Sequence, residues 1–182
     1  MAEATERMTK SVEATRNEFA TVRTGRASPQ LLDRVEVDYY GAITPLKQLA
    51  NVSAAEARML TITPYDKSSI KAIEKGIMES DVGLMPSNDG NLIRLTVPEL
   101  TEERRREMVK VVHGIAEQGR VAIRNTRRDV QNDLRELKKD GEIGADDEHR
   151  AETDLQKLTD ARVGDIDSLL AGKEEEIMGE TS

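Results

Sequence analysis

The hydrophobic positions change period twice along the chain. Met8, Val12, Thr15, Phe19 and Val22 recur at steps of 4, 3, 4 and 3, the heptad-like stripe of an amphipathic helix. Thr24-Gly25, with Pro29 just beyond, predicts its end. A lone helix of this length is marginal in water, so its stripe needs partners from elsewhere. From Leu31 to Val97 the pattern shortens to strands. Val35–Tyr39 alternates with period two and Tyr40-Gly41-Ala42 predicts a turn. Arg58–Thr63 predicts a second strand stopped by Pro64, and Ile70, Ile73 and Ile77 mark one face of a short helix. Pro86–Gly90 predicts a turn, and Leu92–Val97 a last strand ended by Pro98.

The helical period then returns at larger scale. Thr101 is a suitable N-cap, and Glu102 and Glu103 put negative charge at the positive end of a helix dipole. Met108, Val112, Ile115, Ala122, Thr126, Val130, Leu134 and Leu137 carry the apolar stripe onward. Lys138, Lys139 and Gly141 supply the C-terminal signals. The result is one helix of nearly forty residues, roughly 55 Å at 1.5 Å per residue. A third helix opens at Asp146-Asp147-Glu148 and runs through Leu155, Leu158, Ile166, Leu169 and Leu170 to Ile177. Three such helices form a bundle. The expected fold is therefore α+β: a long three-helix bundle from residues 1–25 and 99–182, with a small α+β domain inserted at 26–98. Two tethers, Gly25-Arg26-Ala27 and Pro98-Glu99-Leu100-Thr101, would serve as a hinge.

Composition narrows the chemistry. The 182 residues contain no Cys, which excludes disulfides and thiolate chemistry, and one Phe, three Tyr and no Trp, which suits a core of aliphatic side chains. The start, Met1 to Glu6, has neither a basic nor an apolar targeting region, and no run approaches a membrane span, so a soluble cytoplasmic protein is expected. His113 and His149 are too few and too far apart to suggest a metal site. Ser87–Gly90 reads as a turn, not a phosphate cradle, and no carboxylate lies in an apolar run. Neither catalysis nor a cofactor is expected.

The net charge of -8 hides a segregation. Residues 101–139 carry eleven basic and seven acidic side chains, net +4, whereas residues 140–182 carry four basic and fourteen acidic, net -10. Placed at about 100° per residue, Arg120, Arg124, Arg127, Arg128, Arg135, Lys138 and Lys139 share an arc of roughly 120°. Asp129, Asp133 and Glu136 lie on another side, leaving this stretch of the arc without a carboxylate. Such an arc suits a polyanion, because guanidinium forks match phosphate oxygens. It equally suits a solvated face whose Arg side chains reach acids on the neighbouring, net-negative helix. Arg104-Arg105-Arg106 cannot share one face and reads as local ion pairing with Glu102, Glu103 and Glu107. Tyr39 and Tyr40, adjacent on a strand, are expected on opposite faces and in packing roles.

Several stretches together resemble the bacterial-type ribosome recycling factor family. They are Arg23-Thr24-Gly25-Arg26-Ala27-Ser28-Pro29, Leu31-Leu32-Asp33, Tyr39-Tyr40-Gly41, Thr44-Pro45-Leu46 and Gln48-Leu49-Ala50. Asn88-Asp89-Gly90, Ile93-Arg94, Leu100-Thr101-Glu102-Glu103-Arg104-Arg105, Arg124-Asn125 and Arg127-Arg128-Asp129 complete the set. The resemblance covers essentially the whole chain. The N-terminus is a few residues short of the family pattern and the tail ends Gly179-Glu180-Thr181-Ser182, so nothing depending on either end is carried over.

The resemblance implies an L-shaped, two-domain monomer that binds between ribosomal subunits after termination. It implies contact with large-subunit ribosomal RNA, for which Arg124, Arg127 and Arg128 are the first candidates, Arg120 and Arg135 share their face, and Arg23 and Arg26 come next. It implies elongation factor G with GTP as the source of drive, and a functional link to initiation factor 3. The mechanism to expect is a lever, with the bundle anchored on phosphates and the small domain adjusting at the hinge. Two rivals stay open from the residues alone: a helical chaperone or coiled-coil scaffold, and a factor that holds subunits together instead of separating them.

Overall fold

A computed structural model gives the fold and describes residues 1–179; the tail residues Glu180, Thr181 and Ser182 lie outside them. The chain divides into two units, one of Met1–Val22 with the chain from Glu103 onward, the other Arg23–Glu102. The division falls a few residues closer to the helices than the sequence boundaries at 25/26 and 98/99.

The first unit consists of α1 (Ala2–Ala20), α4 (Glu102–Lys139) and α5 (Ala145–Met178). Its core is one file from each helix. Ala4, Met8, Val12, Thr15 and Phe19 come from α1, Val112, Ala116, Gly119, Ile123 and Thr126 from α4, and Leu155, Thr159, Ile166, Leu170 and Ile177 from α5. The buried Thr hydroxyls cost little because each donates to the carbonyl four residues back: Thr15 to Ser11, Thr126 to Ala122 and Thr159 to Leu155. α1 stops at Ala20, earlier than Thr24-Gly25. The N–H groups of Thr21 and Val22 bond to Glu18 and Phe19, three residues back, and the Thr21 hydroxyl also takes the Glu18 carbonyl at 2.7 Å. That tightened last turn ends the helix. α4 ends where Lys138, Lys139 and Gly141 predict. Gly141 takes φ +76°, its N–H bonds to Lys138 O, and the Glu142 N–H reaches Leu137 O at 2.9 Å, the paired bonds of a Schellman cap.

The second unit holds a hairpin of β1 (Glu36–Tyr39) and β2 (Ala42–Pro45), a one-turn α2 (Leu46–Leu49), β3 (Ala50–Glu56), β4 (Met59–Pro64), α3 (Ile70–Glu79), β5 (Pro86–Asn88) and β6 (Ile93–Thr96). The last four strands form an antiparallel sheet in the order β3-β4-β6-β5. Ile70, Ile73 and Ile77 of α3 join Val37, Leu60, Ile62, Ile93 and Leu95 in one buried cluster. Pro86–Asn88, expected as a turn, pairs with β6 as an edge strand, where the missing N–H of Pro86 is harmless. Tyr39 and Tyr40 do not point to opposite faces. Tyr40 leaves the strand at φ +50° in the two-residue turn with Gly41, and the two rings meet edge to face at 4.6 Å between centroids. Tyr40 is 79% exposed, so it is not a packing residue.

The segments expected as tethers are tied down inside this unit. Ala27 N–H bonds to Ala57 O and Val97 N–H to Arg58 O, each at 2.8 Å, so both chains flank the β3–β4 turn. Arg58 also pairs with Glu99 at 3.5 Å.

Candidate nucleic-acid interface

The α4 face is set by its apolar file. Once Val112, Ala116, Gly119, Ile123 and Thr126 are committed inward, helical geometry puts Arg120, Arg124, Arg127, Arg128, Arg135, Lys138 and Lys139 together on a side away from the core. Asp129, on a different side, pairs with Arg7 of α1 at 2.8 Å, so this acid outside the arc joins α4 to α1.

The basic residues of the arc differ in what holds them. Arg120 is largely enclosed, its side chain 18% exposed. Its Nε donates to Asp167 of α5 at 2.8 Å and its Nη1 to Glu117 at 3.1 Å. The Asp167 hydrogen bond is the main cause of a guanidinium pKa raised above its ordinary value; partial burial opposes it and Glu117 adds to it. Arg124 is about half exposed and donates to the other oxygen of Glu117 at 3.3 Å. Arg127 donates through Nη1 to Gln156 of α5 at 3.0 Å, and Gln156 in turn donates to Asp160 at 2.9 Å. The Nε of Arg127 is shielded from solvent and has no acceptor within the described residues. Lys138 pairs with Glu148 at 3.5 Å.

The side chains of Arg128, Arg135 and Lys139 are exposed and make no ion pair or hydrogen bond among the described residues. The arc therefore divides along the helix, its N-terminal part internally neutralised and its middle and C-terminal part offering open guanidinium and ammonium groups. Arg120 reaches an acid on the neighbouring helix, as the solvated-face reading expects, while Arg128 makes no such pair among the described residues.

Three participants were missed in the sequence. Glu117 lies three positions before the first Arg of the count, and extending the wheel one turn back puts it inside the arc. Asp167 and Gln156 belong to α5, and no pattern in one helix reports the axial offset of its neighbour.

Arg23 and Arg26 belong to the second unit. Arg23 donates through Nη2 to the Val82 carbonyl, and Arg26 is exposed without an ion pair among the described residues. His113 pairs with Glu174 across α4 and α5. Among the described residues no helix is long and apolar enough to cross a membrane.

Known proteins resemble this chain along nearly its whole length. The family model described as ribosome recycling factor matches residues 15–178. The ribosome-recycling factor of Rubrobacter xylanophilus is 55% identical over 178 residues, covering 98% of this chain and 96% of that protein. That of Bacillus subtilis is 57% identical over 174 residues, covering 95% and 94%. A solution structure of a ribosome recycling factor superposes with TM-score 0.79 at 44% identity, covering 97% of this chain and 94% of the other. A second solved chain belongs to models of the T. thermophilus ribosome recycling factor and E. coli elongation factor G bound to the E. coli post-termination complex. It matches at TM-score 0.67 and 46% identity, covering 98% and 96%. Sequence, fold and the order of elements thus agree from α1 to α5, and the chain belongs to the ribosome recycling factor family, whose members are non-enzymatic translation factors.

Proposed function

We propose that the chain promotes separation of the ribosomal subunits after termination, anchored on large-subunit ribosomal RNA by the basic face of α4 and driven by elongation factor G with GTP. The observation that carries this reading is the open part of that face. Arg128, Arg135 and Lys139 stand exposed without an ion pair among the described residues. Phosphate oxygens are the acceptors that this array fits. The assembly in which a related factor is bound together with elongation factor G at a post-termination complex supports the same partners here.

In the mechanism that follows, phosphate contacts along α4 fix the bundle, and a helix of 38 residues, about 57 Å at 1.5 Å per residue, acts as a strut. The second unit, joined by chain near Gly25–Ala27 and Pro98–Thr101, reorients as the elongation factor engages. The push reaches an intersubunit contact through the anchored bundle, and initiation factor 3 then keeps the subunits apart. The work is done in the cytoplasm by a monomer, and the nucleotide is turned over by the partner.

The test is disassembly of purified post-termination complexes, followed by light scattering, with and without elongation factor G and GTP. Subunit separation that needs all three components is the expected result. Separation unaffected by leaving out this chain, or complexes that it stabilises, would overturn the reading.

A further inference from the structure

Glu117 occupies an unusual place on the basic face. At 100° per residue it falls between Arg124 and Arg128, about three turns before Arg128, the first of the exposed cations. Its two oxygens are engaged separately, Oε2 by Arg120 Nη1 at 3.1 Å and Oε1 by Arg124 Nη1 at 3.3 Å. The two arginines depend on it unequally. Arg120 is 18% exposed and keeps Asp167 at 2.7–2.8 Å whatever Glu117 does. Arg124 is 48% exposed, and Glu117 is its acceptor among the described residues.

Carboxylate and phosphate offer a guanidinium the same kind of oxygen acceptors, so a phosphate approaching Arg124 meets an Nη1 group already given to Glu117. The Glu117 carboxylate is more than half exposed, and a pair so open to water is held only weakly. It can be displaced. Its charge cannot leave, however, because the backbone of α4 fixes it seven residues, about two turns, before Arg124 and within side-chain reach of it.

We propose that Glu117 is a resident competitor for the RNA phosphate at Arg124, setting how tightly the basic face binds and how readily it lets go. The proposal rests on the RNA-interface reading given above. It gives the acid a purpose suited to a factor that must leave the ribosome after each round: an uninterrupted cationic face would hold longer than one round requires. Asp167 then has a different task from Glu117, keeping Arg120 fixed to α5 and outside the competition.

The test uses the full chain and purified large ribosomal subunits, with Kd and dissociation rate measured across a salt series. Four variants are compared: Glu117→Gln, Arg124→Ala, the pair combined, and Asp133→Asn, which removes one negative charge from α4 away from the arc. Glu117→Gln should lower Kd about 3- to 10-fold, mainly through slower dissociation, and steepen the salt dependence by up to about one unit of slope as released counterions replace a displaced carboxylate. That gain should vanish when Arg124→Ala is added, and Asp133→Asn should shift Kd less than about 2-fold, since exposed charges beyond a Debye length are screened. Binding unchanged or weakened by Glu117→Gln, while Arg124→Ala weakens it, would mean that the acid only orients Arg124, and would overturn the proposal. An equal gain from Asp133→Asn would reduce it to bulk charge and overturn it too. If Arg124→Ala leaves Kd untouched, the interface reading itself fails at that residue, and the competitor with it.

Discussion

Gly25 packs against Leu100 so closely that a Cβ on the glycine would lie 3.1 Å from Leu100 Cγ, and its φ of +77° is one that side chains rarely adopt. Position and conformation thus act together, because the two connecting segments meet where an added Cβ would press on the Leu100 side chain. Gly25→Ala should destabilise the second unit by about 1–2 kcal/mol, the scale of left-handed strain in an L-residue. Gly172→Ala is the control, with nothing within 4 Å and a place inside α5. It should stabilise by about 0.5–1 kcal/mol, as Ala for Gly does in a helix interior. Urea denaturation of both variants decides the matter; shifts of opposite sign at the two sites are the expected outcome.

The tightest point of the bundle is Gly119. A Cβ there would lie 2.3 Å from Thr15 Oγ1 and 2.8 Å from Ile166 Cδ1, so all three helices converge on a residue without a side chain. Gly119→Ala should cost about 1–3 kcal/mol through overpacking, outweighing its helix-propensity gain. Thr15→Ala in the same chain should recover part of the loss, since it removes the nearest atom. Thermal unfolding of the two single variants and the double variant measures that coupling, and strictly additive effects would count against this packing account.

On the basic face, the proposed contacts separate from stability. Arg127→Ala and Arg128→Ala should each weaken binding to large subunits by about 1–3 kcal/mol, the scale of a lost charge-assisted hydrogen bond. Arg128 is exposed and unpaired among the described residues, so its replacement should shift stability by no more than about 0.5 kcal/mol. Sedimentation binding beside a melting curve checks both. A variant that melts early but binds normally once folded would assign that arginine to packing.

Two carboxylates of the second unit set an acid limit. Asp66 accepts from the Ser68 hydroxyl at 2.7 Å, the Ser68 N–H at 2.9 Å and the Tyr39 hydroxyl at 3.1 Å, and these bonds hold its pKa below the ordinary value. Asp89 is held down by the N–H groups of Asn91 and Leu92, with Arg94 adding to them. Both folded pKa values lie below the unfolded one, about 3.9 for Asp. The stability they contribute is therefore complete above that value and lost as pH falls through the folded values. NMR titration of the side-chain carboxyls should place both midpoints under about 3.9. Asp66→Asn should flatten the acid limb of a stability–pH curve, and midpoints at the ordinary position would contradict the hydrogen-bond account.

The sequence made the long helices legible because their signals are local and redundant. The stripe through Val112 and Thr126 has the helical period, and Lys138, Lys139 and Gly141 close α4 where its carbonyls need a cap. The inserted unit was legible in outline through the alternation at Val35–Tyr39 and the stop at Pro98. β3 escaped because Ala50-Asn51-Val52-Ser53-Ala54-Ala55-Glu56 is mostly small or polar and, apart from Ala50 and the half-buried Val52, exposed, as an edge strand can be. β5 escaped because proline, serine and asparagine are turn formers whose edge pairing depends on β6 already being in place. The basic arc was legible from periodicity alone. Its division was not, since whether Arg120 meets Asp167 or water depends on how α5 is rotated and offset against α4.

The order in which the core is written into the chain has a consequence for biosynthesis. α1 emerges from the ribosome first, yet Thr15 and Phe19 must await Val112, Gly119 and Ile166, roughly 90 to 150 residues later. At about 5–20 residues per second that delay is on the order of ten seconds. The second unit, contiguous from Arg23 to Glu102, has every one of its strands available well before then. A nascent chain would thus carry a finished small domain while the apolar stripe of α1 stays uncovered, and the bundle can close only when the Leu155–Ile177 stretch of α5 arrives. Aggregation of stalled or truncated chains, and their need for a chaperone, should therefore switch off at a length set by α5 and not by the completion of the sheet.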